Sequence, residues 1–400
     1  MTAASRPAGA RTLQVGVCGL GVAFSHIAAA TRRDSGIVFA AAADVRPAAL
    51  DAFRRDFGGR VYDDFESLCL DPDIDIIYIA TPNQQHAGQA ILAASCGKHV
   101  VVDKPLALNV AECEAMNRAA AENGVLLACG HLHSYGPAVR AMRRLIASGK
   151  LGALRMISTW HFNEWAYRPR AAWEFVPGNG GNVVFNQGAH QVDIVRLLGG
   201  GMVRSVRGTV GRWDAERPVE GAYSAFLDFD DGATATLVYN GYAHFDTAEL
   251  TSWIGEMPRN PEWNPAARKR LAALTAGGSE DVAKESWRFG SASRLAGETE
   301  ADPHVLFGLT VVSCERGDIR QSPRGITVYR DDSVETIPVA NDTNYSSAAL
   351  ENLYDAVVCG KPVLRDGRWG EATIEVLEAI MTSSQTRSEI YLAHQVAGIE

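Results

Sequence analysis

Val15-Gly16-Val17-Cys18-Gly19-Leu20-Gly21 is an apolar run that breaks into two closely spaced glycines and then passes into a helical pattern. Strand, tight turn and helix in that order open a dinucleotide-binding βαβ unit. Glycine lets the backbone turn sharply and approach a pyrophosphate, while the N–H groups that begin the helix face the anion. Gly19, Gly21 and Val22 are therefore expected at the cofactor phosphates. Phe24 stands where the third glycine of G-x-G-x-x-G belongs, so the turn alone is a weak signal that also fits any tight strand-to-helix turn.

The neighbouring sequence strengthens it. Apolar runs at Leu13–Cys18, Val38–Asp44, Asp75–Ala80, His99–Asp103 and Val125–Cys129 alternate with Ala-rich stretches of helical spacing, Ala23–Thr31, Pro47–Phe57, His86–Cys96 and Ala111–Asn123. Alternation of this kind predicts an open, doubly wound, mostly parallel sheet over residues 13–133. Asn109 is placed to cap a helix, and Gly97 and Gly124 to end two others. After a helix at Pro137–Ser148 the rhythm turns to longer β-type runs, with Asp231-Gly232 as a hairpin signal. Residues 134–400 are therefore read as a second, substrate-binding domain, a largely antiparallel open sheet with helices on one face. Within it, about 245–302 has no clean period and reads as an insertion or mobile excursion. Helical spacing returns at Ser346–Cys359 and Gly370–Thr386.

Asp44 ends the second apolar run, where an acidic side chain accepts hydrogen bonds from the adenosine ribose and repels a 2′-phosphate. NAD is thus expected in preference to NADP, a preference that Arg46 nearby would soften; capping the helix at Pro47 is the plainer role for Asp44. Thr81-Pro82-Asn83 with His86, and Asp103-Lys104-Pro105, follow the third and fourth runs. The carboxyl ends of parallel strands line the ligand crevice, so both turns are expected beside the nicotinamide.

Bulk properties limit the alternatives. A formal net charge of -9 argues against a nucleic-acid surface, and no stretch is apolar for long enough to span a membrane. The first dozen residues lack the apolar region of a secretory signal and read as a loose tail on a cytoplasmic protein. The seven cysteines are scattered, with no C-x-x-C pair, and no histidine pair has convincing ligand spacing, so neither a disulfide framework nor a metal is expected.

The ordered set of glycine turn, Thr81-Pro82-Asn83…His86, Asp103-Lys104-Pro105 and Gly180-Gly181-Asn182…Asn186…His190…Asp193 resembles the Gfo/Idh/MocA oxidoreductase family over essentially the whole chain. Asp103 replaces the family's Glu before the lysine, and Asn186 stands where many sugar-oxidising members carry a catalytic Asp. A closer resemblance, to its 4,5-dihydroxyphthalate (phthalate cis-dihydrodiol) dehydrogenase branch, rests on Gly130-His131-Leu132-His133-Ser134, Tyr167-Arg168-Pro169-Arg170, the run Gly188–Leu198, Glu220-Gly221-Ala222-Tyr223 and Tyr239-Asn240-Gly241-Tyr242. The resemblance implies NAD-dependent oxidation of a phthalate-type cis-dihydrodiol to a catechol, and a homodimer or homotetramer formed through the C-terminal sheet. A sugar or cyclitol dehydrogenase, or a non-catalytic dinucleotide sensor, are the alternatives.

The chemistry assigns roles. Hydride loss from a carbinol carbon needs a group to take the hydroxyl proton and a donor to polarise the oxygen. Lys104 and His190 are the candidates. Asn186 can orient substrate but cannot act as a base. Arg168 and Arg170 are candidate ligands for substrate carboxylates through bidentate guanidinium bonds, against the alternative of solvated loop charges. His133 is a further substrate contact, and Trp160, Trp165, Tyr167 and Trp173 are candidates to wall a ring-shaped substrate.

Overall fold

The computed structural model describes residues 11–28, 36–130, 133–256, 266–291, 304, 306–340 and 345–399 of the chain. The first six strands, β1 (Leu13–Cys18), β2 (Ile37–Ala43), β3 (Arg60–Tyr62), β4 (Ile76–Ile79), β5 (His99–Asp103) and β6 (Leu127–Gly130), form one sheet in the order β3-β2-β1-β4-β5-β6. Every pairing in it is parallel. The order reverses at β1, so the crevice opens at the carboxyl ends of β1 and β4, the switch point where doubly wound sheets bind ligands.

Side chains that alternate along each strand feed two cores. Leu13, Val15, Val17, Ile76, Tyr78 and Val101 face α1 (Val22–Ala28) and α2 (Pro47–Phe57). Cys18, Ile77, Ile79, Val100 and Val102 face α3 (Phe65–Leu70), α4 (His86–Ser95) and α5 (Val110–Glu122). The caps read from the sequence are present: the Asn109 side chain accepts from Glu112 N at 2.9 Å, and Gly97 and Gly124 take the left-handed conformation that ends a helix.

The second sheet has nine strands. In chain order they are β7 (Leu154–Phe162), β8 (Val203–Gly211), β9 (Ala222–Phe229), β10 (Thr234–Asn240), β11 (Leu309–Cys314), β12 (Gly317–Ser322), β13 (Gly325–Tyr329), β14 (Val334–Pro338) and β15 (Ile390–Tyr391). Their spatial order is β14-β13-β12-β11-β7-β10-β9-β8-β15, antiparallel except for the β7–β10 pair. Gly232 at φ +84° turns β9 into β10, as Asp231-Gly232 implied. Helices α6 (Pro137–Ala147), α7 (Ala189–Gly199) and α11 (Gly367–Thr386) pack on its inner face, which is continuous with one Rossmann core.

Three features depart from the sequence reading. Helix α10 (Tyr345–Cys359), allotted above to the second domain, returns to the first and buries Leu350, Leu353 and Tyr354 against its sheet. Within 245–302, read as an insertion or mobile excursion, the described residues form a short helical turn at Thr247–Thr251, then α8 (Ala267–Thr275) and α9 (Glu280–Glu285); residues 257–265 and 292–302 lie outside the described set. The segment after α9 docks on the first domain, where Phe289 is buried beside Phe24, with ring centroids 5.0 Å apart. Phe24 therefore does not pack helix against strand as a glycine would; its ring joins Phe39, Phe53, Phe57 and Phe289 in one aromatic cluster. Third, the tail expected over residues 1–12 is already fixed at Arg11, whose carbonyl accepts from Tyr354 and whose guanidinium pairs with Asp75. Residues 1–10 lie outside the described set.

Candidate active site

The cofactor half of the site follows from the turn after β1. At φ +89° Gly19 is in the left-handed region, and a Cβ there would lie 2.7 Å from the Ala80 carbonyl oxygen and 2.9 Å from Thr81 N, so no other residue fits. A Cβ on Gly21 would meet only Ala80 O, at 3.9 Å, leaving this side of the turn open. Asp44 fixes the turn from the end of β2: one carboxylate oxygen accepts Leu20 N at 2.6 Å, the other Arg46 N at 2.8 Å. The residues present thus fit a dinucleotide. Gly19, Gly21, Val22, Asp44, Thr81, Pro82, Asn83 and His86 share the lining of one cleft of about 650 Å³.

Within that lining, several polar groups are committed to the protein itself. The Thr81 hydroxyl donates to Gln89 at 2.6 Å. The Asn83 amide donates to the carbonyls of Asn179 and Gly180, tying the turn after β4 to the second domain. The buried His86 ring lies between Pro105 O at 2.8 Å and Thr81 O at 2.9 Å, so it braces the turns after β4 and β5 against each other. Gly180-Gly181 are needed where this junction closes, since a Cβ at 181 would fall 1.9 Å from Glu174 O.

Lys104 leaves β5 and reaches across the junction, its Nζ donating to the main-chain oxygen of Asn186 at 2.9 Å. Burial pulls its pKa below the ordinary lysine value, with Asp103, Glu256 and Glu174 pulling it back up. Asp103 is pushed the other way, above the usual carboxylate range, chiefly by its own burial, and accepts from Tyr78. His190, in the first turn of α7, meets His133 edge to face at 4.5 Å. Burial depresses the His133 pKa to about 4, so that ring is neutral near pH 7.

Asn186 does not lie on a regular α-helical turn. Residues 184–188 form a π-helical turn that runs into α7, an irregularity frequent at functional sites. Its side-chain oxygen accepts from Trp165 Nε1 at 3.0 Å and Gln187 Nε2 at 2.9 Å, so two donors fix the amide while its backbone oxygen holds Lys104.

The two arginines differ. Arg170 is buried, donates to Glu174 at 2.9 Å and lies 3.5 Å from the centre of the Trp165 ring. Glu174 in turn takes Ala171 N and the Lys284 ammonium. Arg170 lines the cleft with Glu174 as its partner, and Glu174 is shared with Lys284, so a substrate carboxylate at Arg170 would compete with Glu174. Arg168 is only loosely paired, both terminal nitrogens lying 3.4 Å from one oxygen of Glu256. Good guanidinium–carboxylate bonds are about 2.7–2.9 Å. Burial acts to raise the Glu256 pKa, but Arg168, His161, His133 and Lys104 outweigh it and bring it down to about 2, so the group is a carboxylate.

Of the four aromatic candidates, Trp165 and Trp173 line the cleft. Trp160 is 48% exposed, and the Tyr167 hydroxyl donates to Asp214. Glu256, Glu174, Gln187, Lys284 and Trp287 also line the cleft, and none was singled out in the sequence. The spacing of four between Arg170 and Glu174 was a usable signal for an ion pair. Glu256 and Trp287 lie in a stretch without period, where no signal existed.

Comparison with known proteins agrees with this geometry. The family model described as an oxidoreductase family with an NAD-binding Rossmann fold matches residues 13–131, and the GFO/IDH/MocA C-terminal domain model matches residues 139–255. A 1-carboxy-3-chloro-3,4-dihydroxycyclohexa-1,5-diene dehydrogenase of Comamonas testosteroni is 36% identical over 373 residues, covering 92% of this chain and 94% of its own. A trans-1,2-dihydrobenzene-1,2-diol dehydrogenase of Bos taurus is 26% identical over 58% of this chain and 69% of its own. A solved structure from Bordetella bronchiseptica RB50 superposes with a TM-score of 0.86 at 31% identity, over 95% of this chain and all (100%) of that one. The chain therefore belongs to the Gfo/Idh/MocA oxidoreductases, as an NAD-binding member with a parallel Rossmann sheet and a mostly antiparallel second sheet.

Proposed function

We propose that this oxidoreductase oxidises the cis-dihydrodiol of a carboxylated aromatic ring to the corresponding catechol, with a phthalate-type acid as the reference substrate. The observation that carries the reading is the convergence of Lys104, His190 and the loosely paired Arg168 on one cleft walled by Trp165 and Trp173. A base, a hydroxyl partner, a cation for a ring carboxylate and flat apolar walls are what such a diol requires. The full-length similarity to a dehydrogenase whose named substrate carries one carboxyl on a dihydroxycyclohexadiene ring supports it.

When bound, NAD supplies the hydride acceptor. The chain's own residues handle the proton and the substrate. Neutral Lys104 Nζ, held by the Asn186 carbonyl, takes the hydroxyl proton as the carbinol carbon becomes a carbonyl. His190 hydrogen-bonds the same oxygen. The hydroxy-dienone that results enolises to an aromatic ring, and this gain draws the reaction forward without the second carboxylate that position 186 lacks. Arg168 takes the ring carboxylate in place of Glu256. The exposed outer face of the second sheet, with Met156, Trp160 and Phe226, is the surface for self-association.

The test is a substrate panel with NAD, read as NADH absorbance: the 4,5-cis-dihydrodiol of phthalate, the cis-dihydrodiol of benzoate, myo-inositol and glucose. Turnover of either ring acid supports the reading. Activity confined to inositol or glucose overturns it.

A further inference from the structure

We infer that Glu285, from α9 of the second domain, sets the enzyme's selectivity for NAD by neutralising the cation that would otherwise hold a 2′-phosphate. Asp44 is the acidic residue expected to make this choice, but its oxygens are already occupied. It accepts Leu20 N and Arg46 N, and Arg46 Nε lies 3.2 Å away. Asp44 thus serves first to anchor the glycine turn. Arg46 lines the rim of the cofactor cleft; its Nη2 donates to Leu20 O at 2.6 Å and its Nε to Asp44, so Nη1 is the nitrogen it can offer a phosphate.

Glu285 removes that opportunity. One of its oxygens accepts Arg46 Nη1 at 2.8 Å, and the other accepts Arg288 Nη1 at 2.6 Å. Arg46 and Arg288 both line the cleft, beside Trp287 and Lys284. Two arginines are then balanced by two carboxylates, Asp44 and Glu285. The balance holds only because the segment is docked, through Phe289 in the aromatic cluster and the Ser25 hydroxyl on the Trp287 carbonyl. Cofactor choice is in this way shared between the Rossmann domain and a helix of the substrate domain.

Glu285→Gln preserves shape and removes the charge, leaving two guanidiniums against one carboxylate. The dissociation constants of NADP and NAD are measured on the full-length protein by intrinsic tryptophan fluorescence, without turnover. The ratio of NADP to NAD affinity should rise about fivefold, of the order expected for one partly exposed charge, and the gain should shrink as salt is raised from 0.05 to about 0.5 M. Adding Arg46→Gln should cancel it. An unchanged ratio in Glu285→Gln, or a gain that survives in the double variant, overturns the assignment.

Discussion

Replacing Phe289 with alanine separates the docking of the 286–291 segment from the stability of the Rossmann core. The Phe289 ring is 6% exposed and packs 5.0 Å from Phe24 and 6.0 Å from Phe57. Removing a buried phenylalanine costs about 3–5 kcal/mol, and the cost falls on the contact between the segment and the first domain. The other ties to the first domain are weak: the Ser25–Trp287 hydrogen bond is 3.4 Å long, and the Arg46–Glu285 pair lies at the surface, where such pairs contribute about 0–1 kcal/mol. Glu280 and Lys284 stay paired with Arg217 and Glu174 of the second domain. A loss of about 3 kcal/mol shifts the docked equilibrium by roughly two powers of ten. The segment should then open in a large fraction of molecules while both sheets persist. Hydrogen exchange read by mass spectrometry over residues 286–291 should lose protection in the variant and regain it with saturating NAD. NAD binding should weaken severalfold, because Trp287 and Arg288 leave the cleft wall. Wild-type exchange in that peptide together with unchanged NAD affinity would refute the reasoning.

Other expectations concern the chemistry. Lys104→Met should reduce kcat by at least about a thousandfold while NAD still binds, as titration of the inactive variant will show; general-base removal is typically worth about 10²–10⁴. Arg168→Gln should raise KM for a ring-carboxylated diol at least tenfold, since a hydrogen bond to a charged group contributes about 1.5–3 kcal/mol, and should leave KM for an uncharged benzene dihydrodiol nearly unchanged. With Lys104 as the proposed base, oxidation needs it neutral, so the rate should rise with pH through that group's lowered pKa. Glu256 holds that pKa up, so in Glu256→Gln the rising limb should move to lower pH; a shift to higher pH would contradict the placement.

The strength of the sequence pattern decided what could be read from it. β1 and β5 begin and end where their apolar runs do, and α2 spans Pro47–Phe57 as read, because both faces of a parallel sheet are buried and impose continuous apolar runs. Strand β3 has three residues and β15 two, too short for any period to register. Lys104 was legible because a strand end followed by Pro fixes its place in the crevice. Arg170 was read without its partner Glu174, although the spacing of four offered the pair, and only the fold shows the two buried against each other. Glu256, Glu285 and Phe289 were hidden for another reason. Their segment owes its structure to contacts with the first domain rather than to any repeat of its own, and the missing third glycine at Phe24 makes sense only once Phe289 is seen against it.

The central claim is most directly tested by identifying the product of the 4,5-cis-dihydrodiol of phthalate incubated with purified protein and excess NAD. One NADH should form for each molecule of 4,5-dihydroxyphthalate found by mass spectrometry, and Lys104→Met should form neither. Stable diol and no NADH, under conditions where inositol or glucose is oxidised, would contradict the account.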